Sequence, residues 1–332
     1  QMKAVLCKAY GPPDSLVLEE APSPKPDQGQ VVITVKAAGV NFPDLLMIQN
    51  KYQFRPPLPF SPGGEVAGIV KELGAGVTNV KVGDRVMAST GFGGYAEETL
   101  APAARCIPFP RNMDFVEASA FVMTYGTSHH ALKDRANLKP GETLLVLGAA
   151  GGVGLAAVEI GKVMGARVVA AASSQEKVDL CIKRGADAGV VYPSGPLDRE
   201  AQKKLADDFK KVLGADGAHV IYDGVGGDYA EPALRSIAWE GRYLVVGFPA
   251  GIPSLPLNLT LLKGCQIVGV FWGAFTARDP KRNQANLKEL MDWVGEGKLK
   301  VYVSKTYKFS EAAQALKDMD ARKVMGKIVL VP

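Results

Sequence analysis

The chain contains 332 residues, 47% of them hydrophobic and 22% charged, which is typical of a globular protein of about two domains and excludes a disordered chain. The 39 Lys and Arg residues exceed the 34 Asp and Glu residues by only five, with both signs mixed along the sequence, so nucleic acid is not an expected partner. The apolar runs are far shorter than the about 18 residues of a membrane span, and we expect a soluble, cytoplasmic protein without a membrane partner.

Short β-rich segments separated by Gly and Pro make up the first third of the chain. Thirteen of the 22 prolines lie within the first 123 residues. The strands predicted among them are Val31–Ala37, Gly68–Glu72 and Arg85–Ala88. This pattern predicts a small, irregular, β-rich domain.

From about Gly141 onward, apolar strands alternate with amphipathic helices. The predicted strands are Thr143–Leu147, Arg167–Ala172, Gly189–Tyr192, His219–Tyr222, Arg242–Val246 and Gln266–Phe271. The predicted helices are Val153–Met164, Gln175–Arg184, Arg199–Leu213 and Tyr229–Ala238. Strands alternating with helices indicate βαβ crossovers, and six such strands predict an α/β, doubly wound, parallel dinucleotide-binding (Rossmann) sheet.

Beyond Trp272 the alternation stops, and one helix (Asn286–Val294) and a closing strand (Lys327–Val331) are predicted. We assign both to the β-rich domain. The expected division is therefore a β-rich domain at residues 2–123 and 275–332, and a dinucleotide domain at residues 124–274.

The cysteines and histidines do not form a metal-binding pattern. Cys7, Cys106, Cys181 and Cys265 are far apart in sequence, and the three histidines have none of the usual ligand spacings. No metal site is predicted.

A glycine-rich turn follows the first strand of the dinucleotide domain, in the order strand, turn, helix expected of a phosphate-binding site. Gly151 allows the backbone to approach a pyrophosphate, Gly154 allows the helix to pack against the strand, and the helix N-terminus supplies free N–H groups. Ala149 replaces the first glycine of the G-x-G-x-x-G pattern, a departure that a purely structural tight turn also accommodates.

The end of the second strand indicates which dinucleotide is bound. An NAD site places Asp or Glu there to bind the ribose 2′-hydroxyl, whereas this strand ends in Ala171-Ala172-Ser173-Ser174 and Lys177 follows. A hydroxyl and a cation suit a 2′-phosphate, so NADPH is the predicted cofactor. The alternative for Lys177 is an ordinary surface lysine.

Several motifs distributed over the whole chain carry a family resemblance. They are Gly39–Asp44, Pro59–Gly68, Val82–Val86, Gly93–Glu97, Thr124–Leu132, Ala149–Gly154, Tyr222–Gly227 and Gly326–Leu330. With them the sequence resembles the zinc-independent quinone oxidoreductases, or ζ-crystallin-like proteins, of the medium-chain dehydrogenase/reductase superfamily. The resemblance implies a GroES-like catalytic domain beside the Rossmann domain. Zinc-dependent relatives have a Cys near the position of Asn41 and a His at that of Gly64, so the resemblance also implies that metal ligands are missing.

The same resemblance assigns cofactor-binding residues. It implies that Asn41 and Thr127 flank the nicotinamide and that Gly151, Gly152 and Val153 hold the pyrophosphate. It further implies that Ser173, Lys177 and Tyr192 surround the 2′-phosphate, and that Gly247, Phe248, Val270, Phe271 and Trp272 wall the nicotinamide side of the cleft. The alternative for Tyr192 is an aromatic anchor at a strand end.

Two residues of the first domain are candidate catalytic groups, Asn41 and Tyr52. Tyr52 matches a family tyrosine at the mouth of the active site, where its phenol would hydrogen-bond a substrate oxygen or donate a proton. The alternative for Tyr52 is packing on Phe54 and Phe60. For Asp44, a buried capping role is favoured over orienting Asn41.

Together these features predict a metal-free, NADPH-dependent oxidoreductase with its cleft between the two domains. Without a metal or a strong acid, acceptors activated by conjugation fit best, namely quinones and α,β-unsaturated carbonyl compounds. An enoyl- or acryloyl-thioester (CoA) reductase is an alternative. So is a nucleotide-gated binding or crystallin-like protein, although the small basic excess argues against nucleic-acid binding. The resemblance also implies a homodimer in which Gln266–Phe271 pairs across a two-fold axis.

Overall fold

The computed structural model describes all 332 residues, and its strands and helices are numbered along the chain. The strands are β1 (Met2–Leu6), β2 (Val17–Ala21), β3 (Gln30–Gly39), β4 (Glu65–Leu73), β5 (Arg85–Ser89), β6 (Glu98–Pro102), β7 (Cys106–Pro108), β8 (Thr143–Leu147), β9 (Arg167–Ala172), β10 (Ala188–Val191), β11 (Ala218–Asp223), β12 (Ile237–Val245), β13 (Gln266–Gly269), β14 (Val303–Lys308) and β15 (Lys327–Val331).

The helices are α1 (Phe42–Ile48), α2 (Phe115–Ala118), α3 (Val122–His129), α4 (Gly152–Val163), α5 (Gln175–Lys183), α6 (Arg199–Leu213), α7 (Ala230–Arg235), α8 (Asn258–Lys263), α9 (Trp272–Arg278), α10 (Pro280–Gly295) and α11 (Ala312–Asp320). A π-helical turn at His130–Arg135 continues α3. None of the helices combines the length and hydrophobicity of a membrane-spanning segment.

Contacts divide the chain into two units, the first formed by residues 1–123 and 300–332 and the second by residues 124–299. The second unit contains a six-stranded parallel sheet in the order β10-β9-β8-β11-β12-β13. All five residues of β8, at the centre of the sheet, are buried. Strands covered on both faces are apolar throughout, which is why the sequence pattern predicts them well. The predicted Rossmann fold is confirmed.

Helix α6 shows how local sequence sets an element of this unit. Its N-cap, Asp198, accepts a hydrogen bond from the Ala201 N–H at 2.8 Å. Leu205, Phe209 and Leu213 recur at helical spacing and are buried, so the helix packs one apolar face inward and leaves its charged residues in solvent.

The first unit is built around a seven-stranded sheet that contains the path β14-β15-β3-β4-β5-β7, with β6 also paired to β3. The closing strand β15 lies antiparallel to β3, so that Val329 is opposite Gly39. On the other side of β3, Glu65 of β4 is also opposite Gly39. The fold therefore brings the end of the chain beside the point where the chain leaves β3.

The structure corrects the expected boundary for residues 275–299, which pack with the second unit. The His129 Nε2 atom is 2.7 Å from the Glu289 Oε1 atom, and the Asn286 side chain donates to the Asp134 carboxylate at 2.9 Å. The His130 ring stacks on Phe275 with centroids 3.8 Å apart. These contacts hold α9 and α10 against the end of α3 and the π-helical turn. The last strand predicted for the dinucleotide domain, Gln266–Phe271, is also too long, because β13 ends at Gly269.

Candidate active site

The turn between β8 and α4 requires glycine at two positions. Gly148 has a φ of +61°, and a Cβ there would lie 2.7 Å from the Val225 side chain. A Cβ on Gly154 would lie 2.2 Å from the Gly148 carbonyl oxygen. Gly151, the N-cap of α4, is exposed, and a Cβ there would touch only the Gly148 oxygen, at 3.4 Å. The turn is therefore tightly packed at Gly148 and Gly154, whereas the space around Gly151 is open to solvent.

The Tyr192 side chain stabilises this turn by a hydrogen bond to its backbone. Its hydroxyl accepts a hydrogen bond from the Gly148 N–H at 3.2 Å, and its buried ring packs against Tyr229 with centroids 4.6 Å apart. This arrangement favours the strand-end anchor over a direct contact with a 2′-phosphate. The latter role remains a prediction.

A second loop beside the turn is organised by Asp223, at the end of β11. Its buried carboxylate accepts hydrogen bonds from the Val225 and Gly226 N–H groups, each at 2.8 Å, and from the Tyr243 hydroxyl. Burial raises the pKa of the Asp223 carboxyl, and these hydrogen bonds oppose the rise. Asp223 lies within the Tyr222–Gly227 motif, but the motif by itself does not indicate its role. An acidic residue at the end of an apolar strand, followed by several glycines, is the sequence signal that could have identified the role of Asp223.

At the end of β9, the structure brings Ser173 and Lys177 together. The Lys177 ammonium donates to the Ser173 hydroxyl at 3.1 Å, and the Ser174 hydroxyl caps α5 by accepting from the Lys177 N–H at 3.2 Å. The ammonium keeps two further donors. A hydroxyl and a half-buried cation, without a carboxylate in the strand end, fit the donor needs of a phosphate.

Helix α3 is tied to the glycine turn through Ser128. The Ser128 hydroxyl donates to the Val153 carbonyl at 2.7 Å and lies 2.7 Å from the Tyr222 hydroxyl. Because serine has one proton, Tyr222 is the donor in the second contact. On the same helix, Gly126 makes room for the Trp272 ring, which would lie 2.8 Å from a Cβ at that position.

The remaining predicted nicotinamide-side residues have different exposures. Thr127 is half-buried on α3, and the Val270 N–H donates to the Val245 carbonyl at 3.0 Å. Gly247 follows β12, and its backbone N–H donates to the Asp223 carbonyl oxygen at 3.4 Å.

The aromatic rings of Phe248 and Phe271 are exposed. Phe248 is 43% exposed and Phe271 is 73% exposed. The two exposed aromatic rings are therefore free to contact a ligand.

In the first unit, Asn41 lies at the start of α1 and is 7% exposed. Its backbone N–H donates to the Asp44 carboxylate at 3.0 Å. Asp44 also accepts from the Gly64 N–H at 3.2 Å and from the Tyr95 hydroxyl at 2.7 Å. Asp44 is thus a buried capping aspartate, as expected, and it also links α1 to the Gly-Gly-Glu segment.

Both ends of the Asn41 side chain are held by charged groups. The Lys327 ammonium donates to Asn41 Oδ1 at 2.6 Å, and Asn41 Nδ2 donates to Glu65 Oε1 at 3.1 Å. Burial raises the pKa of Glu65 and lowers the pKa of Lys327, while the attraction between the two charges opposes both shifts. Both residues lie within motifs that carry the family resemblance, but the sequence alone does not indicate a function for either.

The positions that bear zinc ligands in metal-dependent relatives have other roles here. Asn41 binds the charged groups just described, and Gly64 offers only its backbone. A Cβ on Gly64 would lie 3.1 Å from the Gly91 carbonyl oxygen. No group of three or more His, Cys, Asp or Glu side chains is arranged to hold a metal ion.

Tyr52 is half-buried in the segment after α1 and packs against the core of the first unit. Phe54 and Phe60, its expected packing partners, both contact Phe92, with ring centroids 5.7 Å and 6.4 Å apart. The Tyr52 hydroxyl forms no hydrogen bond within the chain. The phenol is therefore available to a ligand, and its catalytic role remains a prediction.

Comparisons with known proteins agree with this architecture. A family model described as zinc-binding dehydrogenase matches residues 152–296, and one described as alcohol dehydrogenase GroES-like domain matches residues 27–111. A mycobacterial structure described as a complex with NADPH is 31% identical, covers 100% of both chains and has a TM-score of 0.91. The structure of CurK enoyl reductase is 25% identical, covers 100% of this chain and 99% of its own, and has a TM-score of 0.87.

A Bos taurus protein named quinone oxidoreductase-like protein 2 is 39% identical over 331 residues, which cover 99% of this chain and 92% of the bovine one. This similarity extends over both units, including the β-rich unit that carries Asn41. With the two family models, it identifies the chain as an oxidoreductase of the zinc-independent quinone oxidoreductase family within the medium-chain dehydrogenase/reductase superfamily.

Proposed function

We propose that the chain is an NADPH-dependent reductase that acts on quinones or α,β-unsaturated carbonyl compounds. The observation that carries the cofactor preference is the Ser173–Lys177 pair, 3.1 Å apart, at the strand end where an NAD site has an acid. When bound, the cofactor supplies hydride from its nicotinamide ring. The mycobacterial relative described as an NADPH complex supports this preference.

The open turn at the N-terminus of α4 fits the pyrophosphate of such a cofactor. Gly151, Gly152 and Val153 would bind it through backbone N–H groups at the positive end of the helix dipole. The packed Gly148 and Gly154 beneath them fix the backbone before a ligand arrives. Thr127, Phe248 and Phe271 are proposed to contact the nicotinamide side.

The substrate proposal rests on the donors that the β-rich unit offers. Asn41 and Tyr52 are neutral hydrogen-bond donors, and they suit an acceptor that spreads negative charge through its own conjugated system. The name of the bovine relative supports quinones. The likeness to an enoyl reductase keeps enoyl thioesters as the second candidate.

A homodimer is also proposed, with β13 as its contact. This edge strand is mostly exposed, and Ile267 on it is 39% exposed. Leu261 and Leu262 of α8 are 80% and 63% exposed, and Trp239 of the adjoining β12 is 67% exposed. Pairing with a second copy would cover the unpaired edge and these apolar side chains.

The Lys177→Ala substitution tests the cofactor preference. A charge-assisted hydrogen bond contributes roughly 1.5–3 kcal/mol, so NADPH affinity should fall by about 10 to 100-fold while NADH affinity changes little. Fluorescence titration of both cofactors measures this, with the exposed Lys183→Ala on the same helix as control. Equal losses for the two cofactors would show that Lys177 is structural.

A matched pair of glycine substitutions tests the pyrophosphate turn. Gly154→Ala forces its Cβ against the Gly148 oxygen, so it should lower the free energy of unfolding by about 1–3 kcal/mol. Gly151→Ala meets no such clash and should leave unfolding nearly unchanged, yet weaken NADPH and NADH alike by about tenfold or more. Thermal unfolding and cofactor titration separate the two effects. Normal binding by Gly151→Ala would contradict the assignment.

The Tyr52→Phe substitution, assayed on three substrate classes, tests the chemistry. NADPH consumption and product formation are followed with a benzoquinone, a cyclic enone and an enoyl thioester. Loss of one oxyanion donor costs at most about 10²–10³ in kcat, and we expect less for a phenol that shares the task with water. An unchanged kcat on every active class would exclude Tyr52 from catalysis. A simple unconjugated ketone is assayed beside them, and its reduction without activity on any conjugated class would exclude the proposed reaction.

Placing a charge on the β13 edge tests the dimer. Ile267→Lys should shift the protein from dimer to monomer in sedimentation velocity, because the lysine would lie in an apolar contact. Val82→Lys, at a 61% exposed valine of the first unit, is the control and should leave the dimer intact. A stable wild-type monomer at micromolar concentration would overturn the proposal.

A further inference from the structure

The side chain of Asn41 is held in one orientation by groups whose hydrogen-bonding roles are fixed. We propose that Lys327 and Glu65 are positioning residues that orient the Asn41 amide so that its free Nδ2–H donates to the substrate oxygen on which negative charge develops. The inference rests on the proposed reductase function and assigns its hydrogen-bond donor.

The orientation follows from counting donors and acceptors. A lysine ammonium can only donate, so the Asn41 atom 2.6 Å from Lys327 Nζ must be the amide oxygen. A carboxylate can only accept, so the atom 3.1 Å from Glu65 Oε1 must be the amide nitrogen. Both neighbours therefore select the same orientation. One Nδ2 hydrogen is bound to Glu65, and the other has no partner within the chain.

The charged neighbours are themselves fixed. Lys327 Nζ also donates to the Val40 carbonyl at 2.7 Å, and Glu65 Oε2 accepts from the Met123 N–H at 2.9 Å. Glu65 is fully buried and Lys327 is 7% exposed. Turning the Asn41 amide over would place its N–H groups against the ammonium and its oxygen against the carboxylate, so the rotated state is strongly disfavoured.

The sheet register explains how residues so distant in sequence meet. Strands β15 and β4 flank β3, and both pair with Gly39, two residues before Asn41. A Cβ on Gly39 would lie 2.9 Å from Glu65 Oε1 and 2.2 Å from the Ser119 carbonyl oxygen. Glycine at this position therefore leaves the space that the Glu65 carboxylate occupies.

The same arrangement strengthens the free donor. The Lys327 ammonium on the amide oxygen draws electron density away from the amide nitrogen, so the N–H groups of Asn41 become stronger donors. The Glu65 carboxylate fixes the orientation of the amide. A fixed, polarised N–H requires no reorganisation when charge develops on a substrate oxygen. Lys327 thus strengthens a neutral donor, and Glu65 holds that donor in place, without a free charge in the site.

The experiment compares Lys327→Met, which removes the ammonium, with Lys327→Arg, which keeps a cation. With NADPH and a benzoquinone, Lys327→Met should lower kcat by about 10 to 100-fold, within the range for loss of one donor, and leave NADPH affinity within about threefold. Lys327→Arg should recover part of kcat. Parallel losses of kcat and cofactor affinity in Lys327→Met, or an unchanged kcat, would overturn the inference.

A double variant, Glu65→Gln with Lys327→Met, guards against misfolding caused by an unpaired buried carboxylate. It should unfold at a higher temperature than Lys327→Met and still show the reduced kcat. Wild-type kcat in this double variant would also refute the positioning role.

A third readout uses the cofactor-free protein. The Asn41 side-chain amide gives a pair of ¹⁵N-attached proton resonances, identified by their loss in Asn41→Asp. In the wild type, the proton bound to Glu65 should exchange with solvent much more slowly than its partner, and this difference should disappear in Lys327→Met. Equal exchange in the wild type would contradict a fixed amide. If the wild type reduces no substrate but shows the slow proton, the proposed function fails and the fixed orientation stands.

Discussion

The burial of Lys327, Glu65 and Asp44 in one region of the β-rich unit is the constraint on which the geometry around Asn41 depends. Removing charges from water costs several kcal/mol per ion unless each charge is paired and hydrogen-bonded, and breaking a buried pair costs about 3–5 kcal/mol. The Lys327 ammonium attracts both carboxylates but hydrogen-bonds neither of them. Their hydrogen bonds come from backbone N–H groups, from Tyr95 and from Asn41. Strand β15 pairs with β3, and this pairing places the Lys327 ammonium beside Asn41.

The dinucleotide unit obtains a fixed site by different means. Its glycine turn is set by backbone packing, by the Tyr192 hydroxyl beneath Gly148 and by the Asp223 carboxylate that organises the next loop. Besides the buried Asp223 carboxylate, Lys177 brings a charge to this candidate site, and its side chain is only half-buried. We thus propose that one unit uses buried charges to orient a neutral donor, whereas the other uses backbone N–H groups to bind an anion.

The features predicted well from sequence depend on neighbours along the chain. The bounds of β8, β9 and α6 match the expectation because a buried strand and an amphipathic helix each carry their whole pattern locally. The Ser173–Lys177 pair spans one helical turn. In contrast, Lys327 and Asn41 are 286 positions apart, and Asn41 and Glu65 are 24 apart, so their contact depends on a strand register that the sequence does not display. The boundary error at residues 275–299 has the same origin, since Glu289 lies 160 positions from His129.

Transfer of deuterium from NADPH to a conjugated substrate tests the central claim most directly. The wild-type protein is incubated with NADPH doubly deuterated at nicotinamide C4 and a cyclic enone, and the product is analysed by mass spectrometry and NMR. The account predicts one deuterium atom on the former β-carbon of the saturated ketone. Deuterium on the carbonyl carbon of an alcohol, or a reduced product without deuterium, would contradict it.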